Sequence, residues 1–127
     1  MKLSFEKIQP SQLYISEEKF KSVWEGFDKE SYEPVPIKEL DGEIIFTDGH
    51  TRALVAYLKG LEEIEVFWED EELDWDLYRI CVRWCKEAGI TKIWDLKNRI
   101  ISDAQYQILW LERCRKEEEK LRNDKEM

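Results

Sequence analysis

The apolar and polar positions of the 127-residue chain change period several times. Phe20, Val23, Trp24 and Phe27 recur at three- and four-residue spacing, which predicts a helix over 17–27. Ser16 stands where an N-cap belongs, and Glu17 and Glu18 fill the first turn, where the helix dipole favours acids. Leu3 to Ile8 reads as a first strand broken by Pro10 and Ser11, and Leu13-Tyr14-Ile15 as a short apolar run. Asp28 to Val35 is a polar connection. Pro36–Leu40 predicts a second strand, Asp41-Gly42 a hairpin turn, and Glu43-Ile44-Ile45-Phe46-Thr47 a buried third strand rich in β-branched and aromatic residues. Asp48-Gly49 is a sharp turn signal. His50 to Lys59 then carries Ala53, Leu54, Ala56, Tyr57 and Leu58, the density of a helix lying on a sheet, stopped by Gly60. Ile64–Trp68 predicts a fourth strand.

Beyond residue 72 the pattern turns helical. Leu73 to Ala88 predicts one helix ended by Gly89, Thr91 caps a second running through Ile100, and Ser102 caps a third through Cys114. From Arg115 the chain is charged and reads as a fraying helix or disordered tail, with Glu118 and Arg122 as an i,i+4 pair. The expected division is a core over 1–72, a helical extension over 73–115 packed on it, and a charged tail over 116–127.

The strand, turn and helix of Glu43 to Gly60 crowd Asp48, Gly49, His50, Thr51 and Arg52 at one junction. A helix N-terminus offers unpaired backbone N–H groups and positive potential, and glycine admits a ligand close to the backbone. Arg52, one turn in, opposes the helix dipole unless an anion offsets it, and its planar fork suits phosphate. Together these residues outline a phosphate site. The alternative for Arg52 is a salt bridge to Asp48 or to a C-terminal carboxylate. Asp48 reads either as a base or metal ligand or as a cap of the following helix. His50, the only histidine, reads either as a phosphate ligand or proton carrier or as a satisfied turn residue, and a multi-histidine metal site is excluded.

Asp48-Gly49-His50-Thr51-Arg52-Ala53, between a strand and a helix ending in Gly60, resembles the Gly-x-x-Arg signature of the ParB/sulfiredoxin superfamily. Pro34-Val35-Pro36-Ile37 upstream and Ile64-Glu65-Val66-Phe67 downstream are similar to the flanking strands of that family. The resemblance covers roughly Lys7 to Asp70. It implies an α+β fold, a small mixed β-sheet with helices, here followed by a C-terminal three-helix region. In sulfiredoxins the residue after the signature glycine is the catalytic cysteine; here it is His50, which argues against sulfiredoxin activity. Free serine kinases of the same superfamily have an Asp-Gly-His-x-Arg loop and an early glutamate as base. That resemblance implies Glu17 or Glu18 as base, Asp48 beside it, and Gly49, His50, Thr51 and Arg52 holding the phosphates of a nucleotide (ATP, ADP or CTP) with Mg2+. Glu17 and Glu18 serve equally as first-turn acids. The expected function is therefore nucleotide or phosphate binding with phosphotransferase or nucleotide-hydrolase chemistry open. The alternative is a non-catalytic ParB-type module that grips DNA or protein.

Charge narrows the partners. The net charge is −9, and Glu62 to Asp76 holds nine acidic residues and no Lys or Arg, which disfavours duplex DNA. The acidic run Glu69-Asp70-Glu71-Glu72 with Asp74 and Asp76 lacks calcium-loop spacing and reads as a solvated face, with divalent-cation binding the alternative. A helix-turn-helix over Leu73 to Ile100 is weighed against a helical cap on the core, which the acidic lead-in favours. Cys81, Cys85 and Cys114 fit a reducing compartment, and Cys81 and Cys85, one helical turn apart, read as core thiols. No apolar run reaches membrane-spanning length and no signal-peptide pattern opens the chain, so a cytoplasmic protein without membrane contact is expected. The Trp- and Leu-bearing last helix offers a homodimer face.

Overall fold

The structure, a computed structural model, describes residues 1–126. It is an α+β fold built on a four-stranded mixed sheet. The strands are β1 (Lys2–Ser4), β3 (Val35–Leu40), β4 (Glu43–Phe46) and β5 (Glu63–Trp68), in the order β1-β5-β3-β4; a two-stranded parallel ribbon pairs β2 (Ile15–Ser16) with β6 (Ile100–Ile101). β3 and β4 form the antiparallel hairpin expected at Asp41-Gly42, whose φ angles of 52° and 83° both lie in the left-handed region that such a turn requires. β5 returns parallel to β3, and β1 lines its other edge antiparallel. The first strand is shorter than its pattern predicts: Ser4 caps a single 3₁₀ turn at Phe5–Lys7, which puts Phe5 in the core. Gln9 then runs beside β4, its N–H donating to Ile44 O at 2.9 Å and its C=O accepting from Phe46 N at 3.0 Å.

Two helices flank the loop that follows β4. α1 (Glu17–Gly26) starts at Ser16, whose hydroxyl accepts the Lys19 N–H, and packs beside α2 (His50–Leu58). α2 buries Ala53, Leu54 and Ala56 on the sheet with Val35, Ile37, Phe46, Ile64 and Val66. α3 (Trp75–Glu87), capped by Asp74, closes over the hairpin: Val82 meets Leu40 and Ile45, and Cys81 and Cys85 reach the main core.

The middle helix expected over Thr91–Ile100 does not form. Ile93–Leu96 is one 3₁₀ turn, because the Asp95 carboxylate folds back onto the Thr91 and Lys92 N–H groups, both at 3.0 Å. Arg99 is then drawn across to Leu13 O at 2.7 Å, and Ile100 and Ile101 become β6. Without that helix the helix-turn-helix arrangement is absent.

The C-terminal run starts at Ser102 with α4 (Asp103–Tyr106), passes a π turn at Gln107–Leu111 and continues as α5 (Glu112–Glu126). α5 runs back along α3: Lys125 reaches Asp76 at 3.4 Å, and Trp110 meets Trp84 edge-on at 6.3 Å. The tail, expected as a fraying helix or a disordered segment, is helical through Glu126, with Arg115–Glu119 and Lys116–Glu112 among its ion pairs. One core joins residues from Phe5 to Trp110. Among the described residues no helix is long and apolar enough to cross a membrane.

Candidate functional site

The junction between β4 and α2 has two faces. Thr47 leaves β4 with its N–H and hydroxyl both donating to Pro36 O, at 3.2 and 3.3 Å, which fixes where the sheet ends. Asp48 is exposed, and its Oδ1 accepts the Gly49 N–H at 2.8 Å rather than capping a later residue. Gly49 is the N-cap of α2, at φ 70°, and no side chain caps the helix there. A Cβ at Gly49 would sit 3.0 Å from Val35 Cγ1, so both backbone angle and packing call for glycine.

Arg52 lies on the outer face. One guanidinium nitrogen donates to Pro34 O at 3.4 Å, and the other stands 3.6 Å from Glu33 Oε2. Both contacts are long, and Glu33 is almost fully exposed, so Arg52 is held loosely. The carboxylate facing Arg52 is therefore Glu33, not Asp48. A cleft of about 330 Å³ opens beside it, between α1 and the loop into β3, lined by Ser22, Gly26, Ser31, Tyr32, Glu33 and Arg52.

The inner face belongs to His50 and Thr51, each only 3 % exposed. The Ser11 N–H donates to His50 Nε2 at 2.9 Å, and the Ser11 hydroxyl donates to Phe46 O at 2.6 Å. A backbone N–H can only donate, so Nε2 is the acceptor and the ring proton of the neutral imidazole sits on Nδ1. Nδ1 is buried and finds no partner among the described residues. Burial lowers the His50 pKa to about 4; the Asp48 carboxylate opposes this shift and Lys19 reinforces it. At neutral pH His50 is an uncharged interior group. Of the loop residues, Asp48, Gly49 and Arg52 thus reach the outer side, and His50 and Thr51 face the core.

Glu17 and Glu18 are exposed on the first turn of α1, and Glu17 is engaged by Lys21 at 2.9 Å. Lys19 on the same turn is close enough for its charge to act on His50.

His50 also lines a cavity of about 170 Å³ that the sequence pattern does not reveal. Ser11, Thr47, Tyr78, Cys81 and Cys114 form much of its wall. Tyr78 donates to Thr47 O at 2.9 Å, and burial pushes its phenol up to about 12. The only signal for this grouping is the helical spacing of Tyr78 and Cys81, which marks one face without naming what it covers. No three His, Cys, Asp or Glu side chains among the described residues are grouped so as to hold a metal ion.

No protein-family profile matches the chain, and no curated protein matches it. Among solved structures, the crystal structure of protein Atu1540 from Agrobacterium tumefaciens is similar at 13 % identity and a TM-score of 0.43, over 72 % of this chain and 49 % of that one. The chain therefore spans about half the length of that neighbour.

Proposed function

We propose that the chain is a phosphate-binding protein of ParB/sulfiredoxin-like type whose ligand is a nucleotide or another phosphorylated small molecule. The observation that carries this reading is the uncapped start of α2 at left-handed Gly49 with the Arg52 guanidinium beside it. Unpaired N–H groups, the positive end of a helix and a loosely held guanidinium all favour an anion at one place. The adjoining cleft, with the Ser22 and Ser31 residues on its wall, offers room for the remainder of the ligand. Magnesium, in this reading, arrives on the nucleotide phosphates rather than in a resident protein site. Three free cysteines, two of them buried, support the cytoplasm as the compartment.

A phosphotransferase reading stands second. It is favoured by the packing of α1 against α2, which keeps Glu17 and Glu18 as candidate bases and Asp48 as a further catalytic candidate. The test is a thermal-shift titration with ATP, ADP, CTP and inorganic phosphate, with and without magnesium. A ligand that binds only the folded state raises the melting temperature by mass action. We expect a rise that Arg52→Ala removes. Equal affinity in the wild type and Arg52→Ala sinks the site assignment. If binding is confirmed, turnover that Glu17→Gln or Glu18→Gln stops while binding is kept would establish the second reading.

A further inference from the structure

We propose that Cys81 and Cys114 form a peroxide-reactive thiol pair that closes into a disulfide across the cavity beneath His50. The two cysteines lie on different helices, α3 and α5, and both line the same cavity of about 170 Å³. The antiparallel packing of those helices is fixed on either side of the pair, by Lys125 on Asp76 at 3.4 Å and by the Arg113 guanidinium over the Trp84 ring at 4.0 Å. The cavity has room for a molecule as small as hydrogen peroxide, and Gln12, Tyr78 and Cys114, all half-buried, lie towards its outer side.

The two thiols differ in the way that such chemistry needs. The neighbouring Cys81 thiol holds the Cys114 pKa down, while Cys114 and burial raise that of Cys81; Arg113 favours the thiolate of both. Cys114, half-buried where Cys81 is buried, is the more accessible sulfur and therefore the attacking one, with Cys81 the resolving one. Cys85, wholly buried and pushed up to about 12 by that burial, stays out of the reaction.

The Cys114 thiolate attacks one peroxide oxygen, the O–O bond breaks, and hydroxide leaves as water with the thiol's proton. The product is a sulfenic acid at Cys114. Cys81 then attacks that sulfur, an S–S bond forms, and the sulfenic hydroxyl leaves as a second water with the Cys81 proton. In total two thiols lose two electrons and two protons, and one hydrogen peroxide becomes two waters. A dithiol reductant returns the pair to thiols. Transient disulfides of this kind are the form that cytosolic redox sensing takes.

The experiment is mass mapping of the full chain after hydrogen peroxide treatment under non-denaturing conditions, with no phosphate ligand needed. We expect an intramolecular Cys81–Cys114 disulfide, Cys85 still alkylatable, and full reversal by dithiothreitol. In Cys81→Ser we expect a dimedone adduct on Cys114, and in Cys114→Ser no disulfide. Mapping on the wild type keeps the test open even if a variant folds poorly. A disulfide involving Cys85, a disulfide between chains, irreversible oxidation at Cys114 or three unreacted thiols would each overturn the proposal.

Discussion

The Ser11 N–H donates to His50 Nε2 at 2.9 Å, tying the loop after Pro10 to the first residue of α2. This bond sets the ring's tautomer and turns the only histidine of the chain inward. A charged imidazole cannot accept that N–H, and burial disfavours the charge as well.

The pH dependence of stability follows from the His50 pKa of about 4 in the folded chain against 6.5 for the free group. Above pH 6.5 the ring is neutral in both states and contributes no slope. Below 6.5 the unfolded chain takes up a proton that the folded chain refuses, so stability falls until the folded ring also titrates near pH 4. The whole effect is about 3 kcal/mol. Urea unfolding between pH 7 and pH 4, compared with His50→Gln to subtract the carboxylates, checks it. A single imidazole Hε1 resonance titrating near 6.5 in the folded protein would contradict the burial argument.

The turn at Asp41-Gly42, the cap at Ser16 and the β4–α2 junction were legible because each depends on residues adjacent in sequence. The failed helix at Thr91–Ile100 had the right apolar spacing. Its fate was decided by Asp95 folding back on its own turn and by Arg99 reaching Leu13, a contact 86 residues away in sequence. The loop residues were identifiable as a cluster, but which of them face inward was not. That depends on Ser11, 39 residues before His50, and no local pattern announces it. The Cys81–Cys114 neighbourhood was hidden for the same reason, since it needs α5 to double back on α3.

Gly49→Ala should destabilise the fold by about 1–3 kcal/mol. The new methyl meets a φ of 70° and Val35 Cγ1 at 3.0 Å, and Val35 is itself fully buried. Chemical denaturation measures the loss, and a change below ~0.5 kcal/mol would mean that the turn relaxes freely. Gly42→Ala is the useful control, because its φ is similarly positive at 83° but no atom lies within 4 Å of the added carbon. The difference between the two variants isolates the Val35 contact.

Ser11→Ala removes the hydroxyl that donates to Phe46 O at 2.6 Å while keeping the backbone bond to His50. The cost should be about 1–2 kcal/mol, since the site is buried and the carbonyl loses a close donor. Ser11→Pro removes the N–H itself. It should lose more, and it frees Nε2 to take a proton, so its stability should fall less steeply below pH 6.5. Parallel denaturation series of the two variants at pH 7 and pH 5 separate these effects.

Arg52 and Glu33 should respond in opposite directions to an anion. Their 3.6 Å contact is loose and its carboxylate is 87 % exposed, so removing either side chain should change stability by less than about 1 kcal/mol. Phosphate affinity is a different matter. Glu33 is the carboxylate closest to the guanidinium and repels an incoming anion, so Glu33→Gln should tighten binding by roughly 2–5-fold. Arg52→Ala should weaken it by about 10-fold or more, the loss expected for one charge-assisted contact. Arg52→Lys should fall between, because a point charge replaces the planar fork. The gain in Glu33→Gln should shrink as salt is added, since the site is open to solvent. Isothermal titration with inorganic phosphate at low and high ionic strength resolves all three. Tighter binding in Glu33→Gln together with weaker binding in Arg52→Ala locates the anion at the Gly49 turn. A Glu33→Gln affinity equal to wild type would instead move the anion away from this pair, toward a part of the surface where the charge of Glu33 is not felt.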